Sequence, residues 1–277
     1  MEIGFMQGRL CDRVDGMIQA FPWRDWEAEF PAAQAIDIGL MEWTLDQHRL
    51  RENPLLTVMG RQRIRALGAA HGVRVLSVTG DCFMQAPFYK TSGDERCRLL
   101  DDLRLVAEGA SELGVRYVVF PLVDNGAIQN PDEEADLLAG LLPLRASLVA
   151  RNLKIIFESD FPPERLACFI EQFPEDAFGI NYDIGNSAAL GHHPFEEVDC
   201  YGRRIDNVHI KDRLLHGTTV PLGTGNADLP AAFSALRKAG YTGNFILQTA
   251  RAEDNMHAET LARYRTMTMK WWRQSEF

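Results

Sequence analysis

Long apolar runs are missing from this 277-residue chain: no stretch reaches the roughly 18 consecutive apolar residues that a membrane helix needs, so no membrane partner is expected. Cysteine is sparse as well. The five present (Cys11, Cys82, Cys97, Cys168, Cys200) are scattered, odd in number and never spaced CxxC. That disfavours a disulfide framework or a zinc knuckle and favours a reducing compartment. The segment Met1-Glu2-Ile3-Gly4-Phe5-Met6 carries an acid where a signal peptide wants bases, so the expected location is cytoplasmic. Positive charge is short: 29 basic against 39 acidic residues leave a formal net charge of −10, which repels phosphate backbones and argues against nucleic acid. Lysine is scarcest, five of those 29, so the position of each lysine is informative. No Ser/Gly-rich linker, charge block or low-complexity segment divides the chain.

What is present is an ordinary globular composition, 46% hydrophobic and 25% charged, on a chain long enough to bury a large core without disulfides or a structural metal. Short apolar runs alternate with longer amphipathic ones. The apolar runs are residues 3–6, 40–43, 73–79, 117–122, 154–158, 178–183, 205–210 and 244–248. Helical patterns cover 26–35, 54–70, 94–113, 132–150, 163–172, 194–201, 229–239 and 255–272. Glycine marks several helix stops, as in His71-Gly72, Leu113-Gly114 and Ala239-Gly240. Such alternation demands parallel strands, because each helix returns the chain to the same edge. Eight strands and about eight helices are the count of a (β/α)8 TIM barrel, a single domain over residues 1–277. A doubly wound open sheet is the competing architecture, but Gly4-Phe5-Met6-Gln7-Gly8-Arg9 does not match the GxGxxG expected after its first strand.

In such a barrel the chemistry gathers at the C-terminal ends of the strands. Strand 3 ends at Asp81, and strand 4 runs into Asp124-Asn125. Strand 5 closes with Glu158-Ser159-Asp160, and strand 6 with Asn181-Tyr182-Asp183. Strand 7 runs through Val208-His209-Ile210-Lys211-Asp212-Arg213, and strand 8 through Gln248-Thr249-Ala250-Arg251. Taken singly, each of these reads as a helix cap, a loop acceptor or a satisfied core histidine. Glu158, Asp183, His209 and Gln248 on four successive strands instead form a mixed oxygen and nitrogen shell suited to a divalent cation.

These residues carry a resemblance. From Gly8-Arg9-Leu10 to Ile246-Leu247-Gln248 the chain resembles the sugar phosphate isomerase/epimerase family, which has the xylose-isomerase-like TIM barrel fold, and within it the ketose and hexulose-6-phosphate 3-epimerases. Asp183-Ile184-Gly185-Asn186 is similar to the family's Asp-x-x-His, and Val208-His209-Ile210-Lys211-Asp212 to its Val-His-x-Lys-Asp. The resemblance implies Glu158, Asp183 and His209 as ligands of Mn2+, Mg2+ or Co2+, with Zn2+ as the alternative, and the strand-end shell adds Gln248 at the fourth position. It implies a metal-dependent isomerase or epimerase acting through an enediolate on a small-molecule sugar or sugar phosphate. Family members are often dimers or tetramers, so a homo-oligomer is expected. Two positions depart from the pattern: Asn186 stands for a histidine that contacts substrate in many members, and Gln248 for the second catalytic glutamate. The apurinic endonucleases share this barrel, but their three-zinc cluster needs more ligands than these strand ends supply. The chain has seven histidines and only His209 closes a strand.

The glutamine matters because a 3-epimerisation in this family uses two metal-bound glutamates on opposite faces of the ketose. A general base must alternate between protonated and ionised forms, and Gln248 has no proton to exchange, whereas Glu158 retains that ability. Three readings stay open. Glu158 alone carries an aldose–ketose isomerisation or a dehydration; or Lys211 replaces the missing acid, being two residues past His209 and so on the same side of the strand; or chemistry is lost and a sugar-binding barrel remains. Lys211 reads equally well as a phosphate or carboxylate anchor. Arg9, Asn186, Arg213 and Arg251 are the expected substrate contacts, the arginines forming a positive patch on an acidic protein. Residues 221–228, glycine-rich and leading into a helix capped by Asp228, read as a phosphate cradle or, more simply, a plain turn. Trp23, Phe83 and Phe88 read as sugar-site walls or as core, and residues 267–272 as barrel closure or as an interface.

Overall fold

The apolar runs fold into short strands because β-branched and aromatic residues dominate them and turn residues bound them. The structure, a computed structural model, describes residues 1–275. Among these, eight strands are β1 (Ile3–Met6), β2 (Leu40–Thr44), β3 (Arg74–Thr79), β4 (Tyr117–Leu122), β5 (Lys154–Ser159), β6 (Phe178–Asp183), β7 (Ile205–Ile210) and β8 (Asn244–Leu247). They pair in parallel and in chain order, and β8 returns to β1 with Gly4 opposite Ile246, closing the (β/α)8 TIM barrel.

The helices follow the apolar spacing and its interruptions. In Gly93–Leu113 the buried Leu99, Leu103, Val106 and Ala110 recur every three or four residues, and Gly114 at φ +88 ends the helix in a left-handed turn that a side chain would strain. Two expected helices are divided. Pro143 has no N–H to donate, so the 132–150 pattern becomes Pro131–Leu141, a single 3-10 turn, and Arg145–Ala150. The 54–70 pattern likewise opens with a separate 3-10 turn at Pro54–Leu56. Thr57 then caps the main helix, Val58–His71, by accepting from the Gly60 amide at 3.0 Å.

Two interiors result. Between barrel and helices, Phe120, Phe157, Phe169, Phe173 and Phe178 interlock with ring centroids 4.9–6.2 Å apart. Each such ring contributes about 1.5–3 kcal/mol by burial. Phe83 stacks on Phe120 at 4.9 Å and Phe88 meets it edge-on, so both are core rather than walls of a sugar site. Trp23 is half-buried, with Phe21 at 4.8 Å and the Arg49 guanidinium over its ring. Trp272 lies 5.2 Å from Phe245 and 6.2 Å from Phe233, so this end of the terminal helix packs on the outer wall of the barrel. Inside the barrel, Met6, Leu40 and Ile246 form a small apolar floor. Above it the lining turns polar.

Candidate active site

Glu42 sits in the middle of apolar β2 and is fully buried. A carboxylate there must be answered. Its Oε1 lies 2.7 Å from His209 Nε2, and its Oε2 accepts from Ser77 Oγ at 2.7 Å and Asn207 Nδ2 at 3.1 Å. Asn207 also donates to Asn181 Oδ1 at 2.8 Å, and Asn181 donates to Glu158 Oε2 at 2.8 Å. A chain of hydrogen bonds thus crosses the barrel from β2 to β5. With Nε2 committed to Glu42, His209 presents Nδ1 to the mouth, 3.1 Å from Glu158 Oε2 and 3.8 Å from Asp183 Oδ2.

These three ligand atoms lie within 4.8 Å of one another. The donor set suits a divalent cation: one imidazole nitrogen and two carboxylate oxygens, with a carboxylate behind the histidine to fix its tautomer. Three carboxylates (Glu42, Glu158, Asp183) and the Lys211 ammonium leave two formal negative charges, which one divalent ion balances with neutral imidazole. Burial alone would drive the proton off His209. Glu42 foremost, with Asp183 and Glu158, outweighs burial and holds the imidazole pKa well above its ordinary value. At Asp183 burial pushes upward, but Lys211, His209 and the Asn186 amide hold the carboxyl below the usual range.

Around this cluster the other expected residues take definite places. Lys211 Nζ bridges Asp183 Oδ2 at 2.9 Å and Gln248 Oε1 at 3.1 Å. Gln248 therefore meets the cluster through the ammonium, and its Nε2 donates to Gln19 at 3.2 Å. Asp183 caps the helix Ile184–Leu190, accepting from the Asn186 amide, and so brings the Asn186 side chain back to Glu158 Oε1 at 2.7 Å. Arg213 donates to Asn186 Oδ1 at 2.9 Å and spends its remaining bonds on the Gly217 carbonyl. Arg251 holds the carbonyls of Gly8, Cys11 and Ile18, tying the loop after β1 across the mouth. Arg9 donates one bond, to Gln19 at 3.2 Å.

The 221–228 loop is a turn whose amides are already taken. Asp212 accepts from the N–H groups of Gly223, Gly225 and Ala227 at 2.8–3.0 Å, so this chain's own carboxylate fills the nest that a phosphate would need. A Cβ at Gly225 would sit 2.2 Å from Asp212 Oδ1, which explains the glycine.

A profile for the xylose isomerase-like TIM barrel matches residues 30–271. The chain belongs to that family. Among solved structures, a xylose isomerase domain protein from Planctomyces limnophilus is similar at 18% identity and TM-score 0.74, covering 99% of this chain and 97% of that one. D-psicose 3-epimerase from Clostridium cellulolyticum H10, solved with D-tagatose, matches at 11% identity and TM-score 0.72, covering 99% of each chain. The IOLI protein, solved with a bound zinc atom, matches at 17% identity and TM-score 0.73, also over 99% of each. At these identities the likeness is one of fold. No curated protein sequence matches the chain.

Sequence reasoning gave no role to Glu42, Asn181 and Asn207, which support the cluster through the hydrogen bonds described above. The signal was available for Glu42: a charged residue within an apolar run must find a partner across the barrel. Gln19 carried no such signal. It comes from the loop after β1, and its Nε2 donates to Asp81 Oδ2 at 2.7 Å.

Proposed function

We propose that this barrel is a divalent-metal-dependent isomerase or epimerase acting on a ketose or sugar phosphate, by proton transfer at the carbon next to the carbonyl. The observation that carries the reading is the convergence of Glu158, Asp183 and His209 Nδ1, backed by Glu42. Those three residues would hold the ion, with Mn2+, Mg2+, Co2+ or Zn2+ as the proposed cofactor, and Gln248 as a neutral fourth oxygen. Once bound, a divalent ion lowers the energy of the enediolate by polarising the carbonyl and its neighbouring hydroxyl. Zinc in the IOLI structure and 3-epimerases among the similar folds support the class.

Glu158 is the proposed base. Asn181 and Asn186 each donate to one of its oxygens and so fix the plane of the carboxylate. Lys211 is the group beside Gln248 that can hold a proton where the family's second acid stands. The polar chain below the cluster keeps Glu158 and His209 in register with each other.

The test is metal-loaded protein with a panel of ketoses and ketose phosphates in D2O, followed by NMR. Deuterium at C3 with an inverted epimer identifies epimerisation, and deuterium at C1 identifies isomerisation. Binding without exchange at either carbon overturns the catalytic reading. It leaves the second reading, a sugar-binding barrel, which the amide at Gln248 favours.

A further inference from the structure

Above the cluster, between the loop after β1 and the ends of β7 and β8, lies a cavity of about 90 Å3. Four cations line it, Arg9, Arg13, Lys211 and Arg251, together with the amides of Gln19 and Gln248. Among the described residues no aspartate or glutamate lines it, although the protein carries a net charge of −10. Two of the cations are largely engaged: Lys211 with Asp183 and Gln248, and Arg251 with three backbone carbonyls. Arg9 is not.

Arg9 is 5% exposed, and among the described residues only one of its nitrogens has a partner, Gln19. Its Nε and second terminal nitrogen are buried with none. Arg61, equally buried, shows the ordinary solution: it donates to the Leu55 carbonyl and pairs with Glu112. The carboxylates nearest to Arg9 are engaged elsewhere, Glu29 with the amides of Gly8 and Leu10, and Asp81 with Gln19. Burial first, then Arg251, pulls the Arg9 pKa down to about 9, against the upward pull of Glu29 and Asp81. A buried guanidinium with unused donors costs stability, and a protein retains one where a partner arrives from outside. The cavity is a small recess beside the Glu158, Asp183 and His209 cluster, walled mainly by cationic and amide side chains.

We propose that this cavity is an oxyanion subsite, anchored by Arg9, that takes the phosphate or carboxylate end group of an acidic sugar. The assignment to a sugar rests on the proposed isomerase or epimerase reaction. The subsite itself does not depend on turnover. Gln248 and Lys211 line both the cavity and the edge of the metal cluster, so an end group held here places the sugar chain over Glu158. Planar guanidinium donors match several oxygens of one oxyanion, which an ammonium does less well.

The experiment is titration calorimetry at constant ionic strength with D-fructose, D-fructose 6-phosphate and D-fructuronate, together with 15N NMR of the Arg9 Nε–H. At least one acid is expected to bind more tightly than fructose and to shift the Arg9 resonance; which acid does so separates phosphate from carboxylate. Arg9→Gln should weaken that acid by about 30-fold or more, and Arg9→Lys by less. Neither acid exceeding fructose, or Arg9→Gln binding the acid unchanged, overturns the proposal. If Arg9→Gln does not fold, the wild-type resonance decides, and a peak unmoved at saturation overturns it. Acid binding through Arg9 with no deuterium exchange would remove the proposed reaction and leave the subsite standing.

Discussion

At the scale of single residues, the proposed reaction turns on Gln248 and Glu158. Glu158 can carry a proton, so Glu158→Gln should lower deuterium exchange by about 100-fold or more while the fold persists. Gln248→Glu tests the other half: epimerisation at C3 should rise, read by the appearance of the inverted epimer. A ligand that holds a proton in metal-free protein must release it on loading. His209, kept protonated by Glu42, Asp183 and Glu158, should therefore give up one proton per divalent ion bound. Calorimetry in two buffers of different ionisation enthalpy measures this, and His209→Ala should abolish both the release and tight binding. Gln248 was legible as a departure from a pattern, because its residue type alone excludes proton transfer. Its contact with Lys211 was not, since nothing local reports which side chain the neighbouring strand delivers.

At the scale of elements, the loops above the barrel are built on internal carboxylates. Asp212 organises the 221–228 loop through three amides, and Glu29 organises the loop after β1 through those of Gly8 and Leu10. Asp212→Ala leaves those three N–H groups without their acceptor and should cost about 2–4 kcal/mol, seen as a lower denaturant midpoint with an unchanged slope. Most element positions were legible, since strand runs and helix periods are local. Pro143 splitting a helix was readable too, and the uninterrupted 132–150 pattern passed over it.

At the scale of the whole molecule, stability should depend on pH through buried acids at the mouth. Burial raises Glu29 and Asp81 to about 7. Each binds its proton more tightly folded than unfolded, so the folded state holds more protons between the ordinary carboxyl range and neutrality. Stability is then highest in mild acid and falls as pH rises through those values. Glu29 contributes on the order of 3 kcal/mol to that fall, and Glu29→Gln should flatten the thermal-unfolding midpoint between roughly pH 4.5 and pH 7. An unchanged slope would show that Glu29 titrates alike in both states.

What the sequence determined by itself was the barrel, through eight apolar runs alternating with helices, and three members of the cluster that could hold a metal ion, through their place at the strand ends. Both are consequences of local period and of chain order. Only tertiary structure decided which groups meet across the barrel. Glu42 stands 167 positions before His209 and is bound to it, and Arg251 reaches back to the loop after β1. The same holds for Arg9. Its type and position are plain in the sequence, but its unspent donors arise only because folding buries it beside acids that other groups have already engaged.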